Sequence, residues 1–156
     1  MSDSANFFQL DKAGVRAAFD RASQAYEAAA VLQSRVADEL ISRLEPFDFQ
    51  PQVILDLGAG TGRAAAQLKR RYRRARVIAL DLAPRMLEQA ARHQHLFRRF
   101  ERICADAARL PLQSAGADII FSNLMLQWCD PLEVFAEVRR VLKPQGFFAF
   151  TTFGPD

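Results

Sequence analysis

The segment that most limits what this chain can fold into is Asp56-Leu57-Gly58-Ala59-Gly60-Thr61-Gly62, which continues the apolar run Val53-Ile54-Leu55. A short β-branched run that ends in a glycine cluster reads as a buried strand turning sharply into the next element, and Gly62 to about Tyr72 has the composition of a helix. Glycines at Gly58 and Gly60 let the backbone bend tightly and let a ligand come close. The carboxyl edge of an open α/β sheet is also where ligands bind. A glycine cluster by itself serves packing as readily as binding, so the surrounding chain has to decide between the two.

Around that turn the chain alternates strand and helix. Val15, Ala18, Phe19, Ala22 and Tyr26 recur at helical spacing, as do Leu32, Val36, Leu40 and Leu44, before Pro46 and Pro51 interrupt the pattern. Strands are expected at Arg76 to Asp81, Ile103 to Ala105, Asp118 to Ser122 and Phe147 to Thr152. Helices are expected from Pro84 to about Gln94, with proline suited to a first turn, and around Leu132, Phe135, Val138 and Leu142. Several strands are continuous apolar runs, which requires helices on both sheet faces. The expectation is an α/β fold, Rossmann-like and doubly wound, with a mostly parallel sheet and two amino-terminal helices. Residues 1–50 form a helical segment and 51–156 a binding core, within one structural domain.

Half of the 156 residues are hydrophobic, enough for a sizeable core. The 21 basic and 18 acidic residues give net +3, too little to demand a nucleic-acid partner. Cys104 and Cys129 lack ligand spacing, so neither a disulfide framework nor a metal site is expected. Without a basic leader or a membrane-length apolar run, the expected setting is cytoplasmic, with no membrane partner. The basic run Arg70-Arg71-Tyr72-Arg73-Arg74, at an expected helix end, complements the helix dipole. With Arg98, Arg99 and Arg102 it could also attract an acidic partner, although a solvated helix face is the plainer reading.

Two carboxylates come after the glycine turn. Asp81 closes the second strand and would stand beside the glycine loop, where it could accept ribose hydroxyls or cap the helix near Pro84. Asp106 follows the third strand and could accept from an adenine amino group or sit in a solvated loop. A dinucleotide fingerprint needs G-x-G-x-x-G, whereas this chain has G-x-G-x-G.

Asp56, Gly58, Gly60 and Gly62 resemble the first motif of the class I S-adenosylmethionine-dependent methyltransferases. The resemblance implies S-adenosylmethionine as cofactor, with Asp81 on the ribose and Leu82 and Met86 of Leu82-Ala83-Pro84-Arg85-Met86-Leu87 flanking the adenine. It places Asp106 and Ala107 at the other adenine edge, and Asn123 and Leu124 beside the methionine part. Leu82, Met86 and Leu124 also suit plain core positions. Val15 to Ala22, Ser122 to Cys129 and Phe148 to Phe153 look like the malonyl-acyl-carrier-protein O-methyltransferases of biotin synthesis, with Asn123-Leu124-Met125-Leu126-Gln127-Trp128 the most distinctive part. By that resemblance the acceptor is the free carboxyl of a malonyl thioester, on carrier protein or coenzyme A, and Arg16, Phe19 and Tyr26 belong to an amino-terminal lid. A helix packing face suits these three residues equally. Methylation of another small molecule, such as a quinone precursor, and a non-catalytic cofactor-binding module are the alternatives.

A carboxylate acceptor is already ionised near neutrality, so no catalytic base is expected, and His93 and His95 fall away from the glycine loop. Where the family often has Pro-Gly-Gly before the last strand, this chain reads Lys143-Pro144-Gln145-Gly146. The resemblance also implies two further strands and an acceptor-side insertion. A chain ending at Asp156 is therefore expected to be a shortened piece or a short relative, and its activity by itself is not implied.

Overall fold

The computed structural model describes residues 11–154, the side chains of residues 22–29 excepted. Five strands run β1 Val53–Leu57, β2 Arg76–Asp81, β3 Glu101–Cys104, β4 Ala117–Asn123 and β5 Leu142–Thr151. They pair in the order β3-β2-β1-β4-β5, and every pairing is parallel. The helices are α1 Lys12–Ala29, α2 Val31–Ser42, α3 Arg63–Arg71, α4 Pro84–Ala90 and α5 Pro131–Val141. This is the doubly wound α/β sheet with two leading helices expected from the sequence.

Side chains of a strand alternate between faces, so each central strand feeds two cores. Ile54, Val77, Ala79, Ile119 and Phe121 pack with residues of α2, α3 and α4 on one side. Leu55, Leu57, Ile78, Leu80 and Ile120 pack against Val134, Val138 and Val141 of α5 on the other. Burying each of these Val, Leu, Ile and Phe side chains stabilises the fold by about 1.5 to 3 kcal/mol. Ala37, Leu40 and Ile41 of α2 join the first core, so α2 is built into the sheet's cover and only α1 is left to lie across the strand ends.

Several boundaries differ from the expected ones for local reasons. α4 stops at Ala90 and gives way to a 3-10 turn, Ala91–His93, after which the chain folds back so that Phe100 enters the first core. β3 starts at Glu101 and ends at Cys104, because its ladder with β2 runs from Ile78↔Glu101 to Asp81↔Cys104. As an edge strand β3 leaves Cys104 exposed. β5 begins at Leu142, which pairs with Ala117 before residues 143–146 bulge out and the ladder resumes at Ile119↔Phe147. α5 carries a side-chain cap: the Asp130 carboxylate accepts from the Leu132 amide, with proline in the first turn.

Candidate functional site

β1, β2 and β4 deliver their carboxyl ends to one place. There the turn after β1, Asp81, and Asn123-Leu124 border a cleft with about 820 Å³ of empty space, part of it open to solvent. Its floor is apolar, from Leu80, Leu82, Met86, Ala105 and Ala107. Met125, Trp128 and Cys129 close one side, and Lys12, Val15, Arg16 and Phe19 of α1 form the roof. An apolar pocket with a few convergent polar groups is the usual form of a small-molecule site.

Asp81 organises the loop. Its Oδ2 accepts from the Gly60 amide at 2.8 Å and its Oδ1 from the Ala83 amide at 2.8 Å. Each carboxylate oxygen has a second lone pair, so this leaves acceptor capacity toward the cleft. Ala83 is itself the cap residue of α4, so Asp81 buttresses the helix entry without capping it. Burial pushes the Asp81 pKa up, and the amides of Ala83, Gly60 and Leu82 offset part of that. Asp106 accepts from the Lys12 ammonium at 2.6 Å and from the Ala108 amide at 2.9 Å. Burial raises its pKa, but these bonds outweigh it and hold the carboxyl below its ordinary value.

Of the residues singled out from the sequence, Arg16, Gly58, Gly60, Asp81, Leu82, Met86, Asp106, Ala107, Asn123 and Leu124 line the cleft together. Two do not. Asp56 is buried beneath the turn on the α3 side. Its carboxylate accepts from the amide of Ala65 in the first turn of α3, where backbone donors otherwise lack partners, while Oδ2 has none. Burial foremost, then the charge of Asp81, pushes its pKa up to about 7. Gly62 is also buried: a Cβ there would lie 2.6 Å from Ala90 Cβ, so it permits helix packing and does not make room for a ligand. Tyr26 lies outside the described side chains. His93 and His95 line a separate groove, as expected from their sequence position.

Gly58 has a positive φ of 76°, and a Cβ there would meet Met125 Cγ at 2.3 Å, so the space it leaves is filled by Met125. Asn123 lines the cleft with its amide committed at both ends, donating to Gln33 O at 2.9 Å and accepting from Thr151 Oγ1 at 2.7 Å. Leu124 is held at φ 52°, a strained conformation for a leucine, and its carbonyl accepts from Gln127 Nε2 at 2.7 Å. The Gln127-Trp128 pair thereby gains a structural meaning. Gln127 braces the strained wall, and Trp128 meets Phe19 of the roof edge to face at 5.7 Å. Lys12, Met125 and Cys129 were missed; the last two flank the distinctive Gln127-Trp128 pair, whereas nothing local marks Lys12 as a cleft residue.

Residues 55–150 match the sequence family described as a methyltransferase domain. The chain belongs to this family. The chain is 45% identical over 160 aligned positions to the malonyl-[acyl-carrier protein] O-methyltransferase of Methylovorus sp. (strain MP688), covering 98% of this chain and 54% of that protein. The enzyme of the same name from Halorhodospira halophila is 46% identical, covering 94% of this chain and 50% of the relative. The chain thus spans about half the length of the curated relatives it matches. Among solved structures, geranyl diphosphate C-methyltransferase from Streptomyces coelicolor A3(2), bound to Mg²⁺, geranyl diphosphate and S-adenosyl-L-homocysteine, superposes with a TM-score of 0.67 at 20% identity, covering 76% of this chain and 45% of that one. That likeness bears out the Rossmann-like methyltransferase fold.

The cleft fits S-adenosylmethionine, the cofactor of this methyltransferase family. The cofactor joins an adenosine to a cationic sulfonium and an amino acid. Apolar floor residues suit the adenine ring, and the spare lone pairs of Asp81 suit vicinal hydroxyls.

Proposed function

We propose that the protein takes part in methylating the free carboxyl of a malonyl thioester carried on an acyl carrier protein, in biotin synthesis in the cytoplasm, with no membrane or nucleic-acid partner. The observation that carries this reading is the likeness of nearly the whole chain to relatives of that name, at 42% to 46% identity in the first several. In this reading Asp81 holds the ribose. Leu82 and Met86 bracket the adenine, with Asp106 and Ala107 at its far edge. Gly60, Asn123 and Leu124 border the methionine part, and Gly58 sets the course of the loop. Bound S-adenosylmethionine supplies a methyl group on a positively charged sulfur.

The chain's own task is positioning and the exclusion of water. α1, with Arg16 and Phe19, roofs the cleft, and Phe19 against Trp128 closes its edge to solvent. An acceptor carboxylate is already ionised near neutrality and needs no side chain to take a proton from it. This agrees with the character of Cys129, the cleft thiol, whose pKa burial pushes up to about 11 so that it stays neutral. Holding acceptor and methyl group in line at short range is the main source of rate in such a displacement. The direct test incubates the protein with methyl-labelled cofactor and malonyl-acyl carrier protein and seeks the methyl ester by mass spectrometry. Methylation of a quinone precursor instead, or no malonyl ester at all, would refute the reading.

A further inference from the structure

The charges of this chain are strongly segregated. Residues 63–102 hold twelve lysines and arginines against three acidic residues, Asp81, Glu88 and Glu101, while the remainder holds nine basic and fifteen acidic residues. Asp81 belongs to the cleft, and Glu101 is paired with Arg76 at 2.7 Å, so the outward surface of this segment is dominated by positive charge. Such a pole is far beyond what the small net charge of +3 conveys.

The pole has a shape. Arg63, Ala66, Gln67 and Arg70 stand at helical spacing along one face of α3 and form one wall of a groove. Arg92, from the turn after α4, and Arg98 form the other. Beside it the chain makes a tight turn in which the Arg98 amide donates to His95 O at 3.0 Å. That turn holds Leu96 and Phe97 out at its tip, 70% and 90% exposed. The groove includes Arg63, the first residue of α3 after the glycine loop.

We propose that this groove and the Leu96-Phe97 tip are the docking surface for the acyl carrier protein, which lays an acidic helix between the arginine walls and covers Phe97 with an apolar patch. The choice of carrier protein rests on the function proposed above. The anatomy is that of a protein interface, an apolar anchor ringed by arginine, where charge steers the encounter and the aromatic contact holds the complex. A groove for single-stranded nucleic acid would instead carry a series of stacking aromatics along its basic track. Here Leu96 and Phe97 are neighbours at one end.

The test measures fluorescence anisotropy of labelled malonyl-acyl carrier protein titrated with the wild-type chain, an Arg92→Glu/Arg98→Glu variant, Phe97→Ser, and, as control, Arg139→Glu on α5, which packs on the opposite face of the sheet. The double reversal is expected to weaken binding by at least about tenfold and Phe97→Ser by about threefold or more, with Arg139→Glu unchanged. Raising salt from about 50 to about 300 mM should weaken the wild type toward the double variant. Calorimetry with S-adenosylhomocysteine, expected to be equal in all four proteins, certifies that each is folded. Equal binding by wild type and double variant, no wild-type binding below about 100 μM at low salt, or tighter binding of a single-stranded oligonucleotide would overturn the proposal. Methyl transfer to malonyl-coenzyme A, which needs no docking, reads the cleft's function separately. If it fails while the carrier still binds here, the function falls and the surface stands. If it succeeds without carrier binding, the surface falls alone.

Discussion

Lys12 Nζ in the first turn of α1 reaches Asp106 Oδ2 at 2.6 Å, joining the roof of the cleft to the loop after β3 across 94 positions of sequence. The bond raises the lysine pKa, and with the Ala108 amide it more than offsets the burial that would push Asp106 up. Both side chains keep partial contact with water, so the pair contributes only about 0.2 to 1 kcal/mol. Lys12→Met and Asp106→Asn should each speed amide exchange in the first turns of α1 while shifting the unfolding free energy by less than about 1 kcal/mol. The double variant should be no worse than either single one. Additive losses would show that the two groups act independently.

Asp81 should matter to the cofactor through its charge. Asp81→Ala is expected to weaken S-adenosylhomocysteine binding by about 1.5 to 3 kcal/mol, because it removes a charge-assisted acceptor and two bonds that shape the glycine loop. Asp81→Asn keeps an acceptor in place and should lose less. Titration calorimetry on both variants decides the matter, and an Asp81→Ala protein with wild-type affinity would take Asp81 out of the ribose role.

The pH dependence of stability should carry the signature of Asp56. Its folded pKa, about 7, lies above the ordinary value of 3.8. The folded state therefore binds this proton more tightly than the unfolded chain does. Its contribution is fully present below about pH 4 and is lost as pH rises through about 7, with a slope of up to about 1.4 kcal/mol per pH unit between them. Asp81 shifts in the same direction, so the informative quantity is a difference between proteins. Urea unfolding of Asp56→Asn, which keeps an acceptor for the Ala65 amide, should show a smaller decline from pH 5 to 7 than the wild type. Parallel curves would mean that the carboxylate carries no burial penalty.

The parallel sheet, the glycine turn, Asp81 and Asp106 were legible in the sequence because each depends on a local signal: an apolar run, a glycine cluster, a strand-end carboxylate. Arg16, Leu82, Met86, Ala107, Asn123 and Leu124 carry no such signal and were reached only through the family resemblance. The hidden features depend on partners distant in the chain. Asp56 looks like a ligand-facing residue until the alternation of β1 turns it toward α3. Gly62 looks like part of a binding loop until Ala90 and Phe100 come within about 3 Å of where its side chain would be. Lys12 carries no local mark at all, since its role exists only once α1 crosses β3's outlet.

Gly62 offers a clean separation of packing from binding. With φ at 79° and Ala90 Cβ 2.6 Å from the place an added methyl group would take, Gly62→Ala must strain the backbone and push α4 away. The expected cost is about 2 to 5 kcal/mol, the sum of a left-handed alanine and an overpacked contact. Cofactor affinity of the folded protein should change little, because Gly62 does not line the cleft. A large loss of affinity with intact stability would return Gly62 to the site.

Gln145 shows what the departure from Pro-Gly-Gly does physically. It sits in the bulge between the Ala117↔Leu142 and Ile119↔Phe147 pairings, at φ 68°, in the left-handed region that costs a side-chain-bearing residue about 1 to 2 kcal/mol. Glycine would relieve that strain and would itself lose more freedom on folding, an opposing effect of about 0.4 to 1 kcal/mol. Gln145→Gly should therefore stabilise the protein by roughly 0.5 to 1 kcal/mol. Gln145→Ala, which keeps the strained Cβ, should give no gain. The side chain is exposed and far from the cleft, so cofactor binding should not respond to either change. A higher urea midpoint for glycine with an unchanged slope is the expected result. Equal midpoints for glycine and alanine would show that the bulge bears no backbone strain.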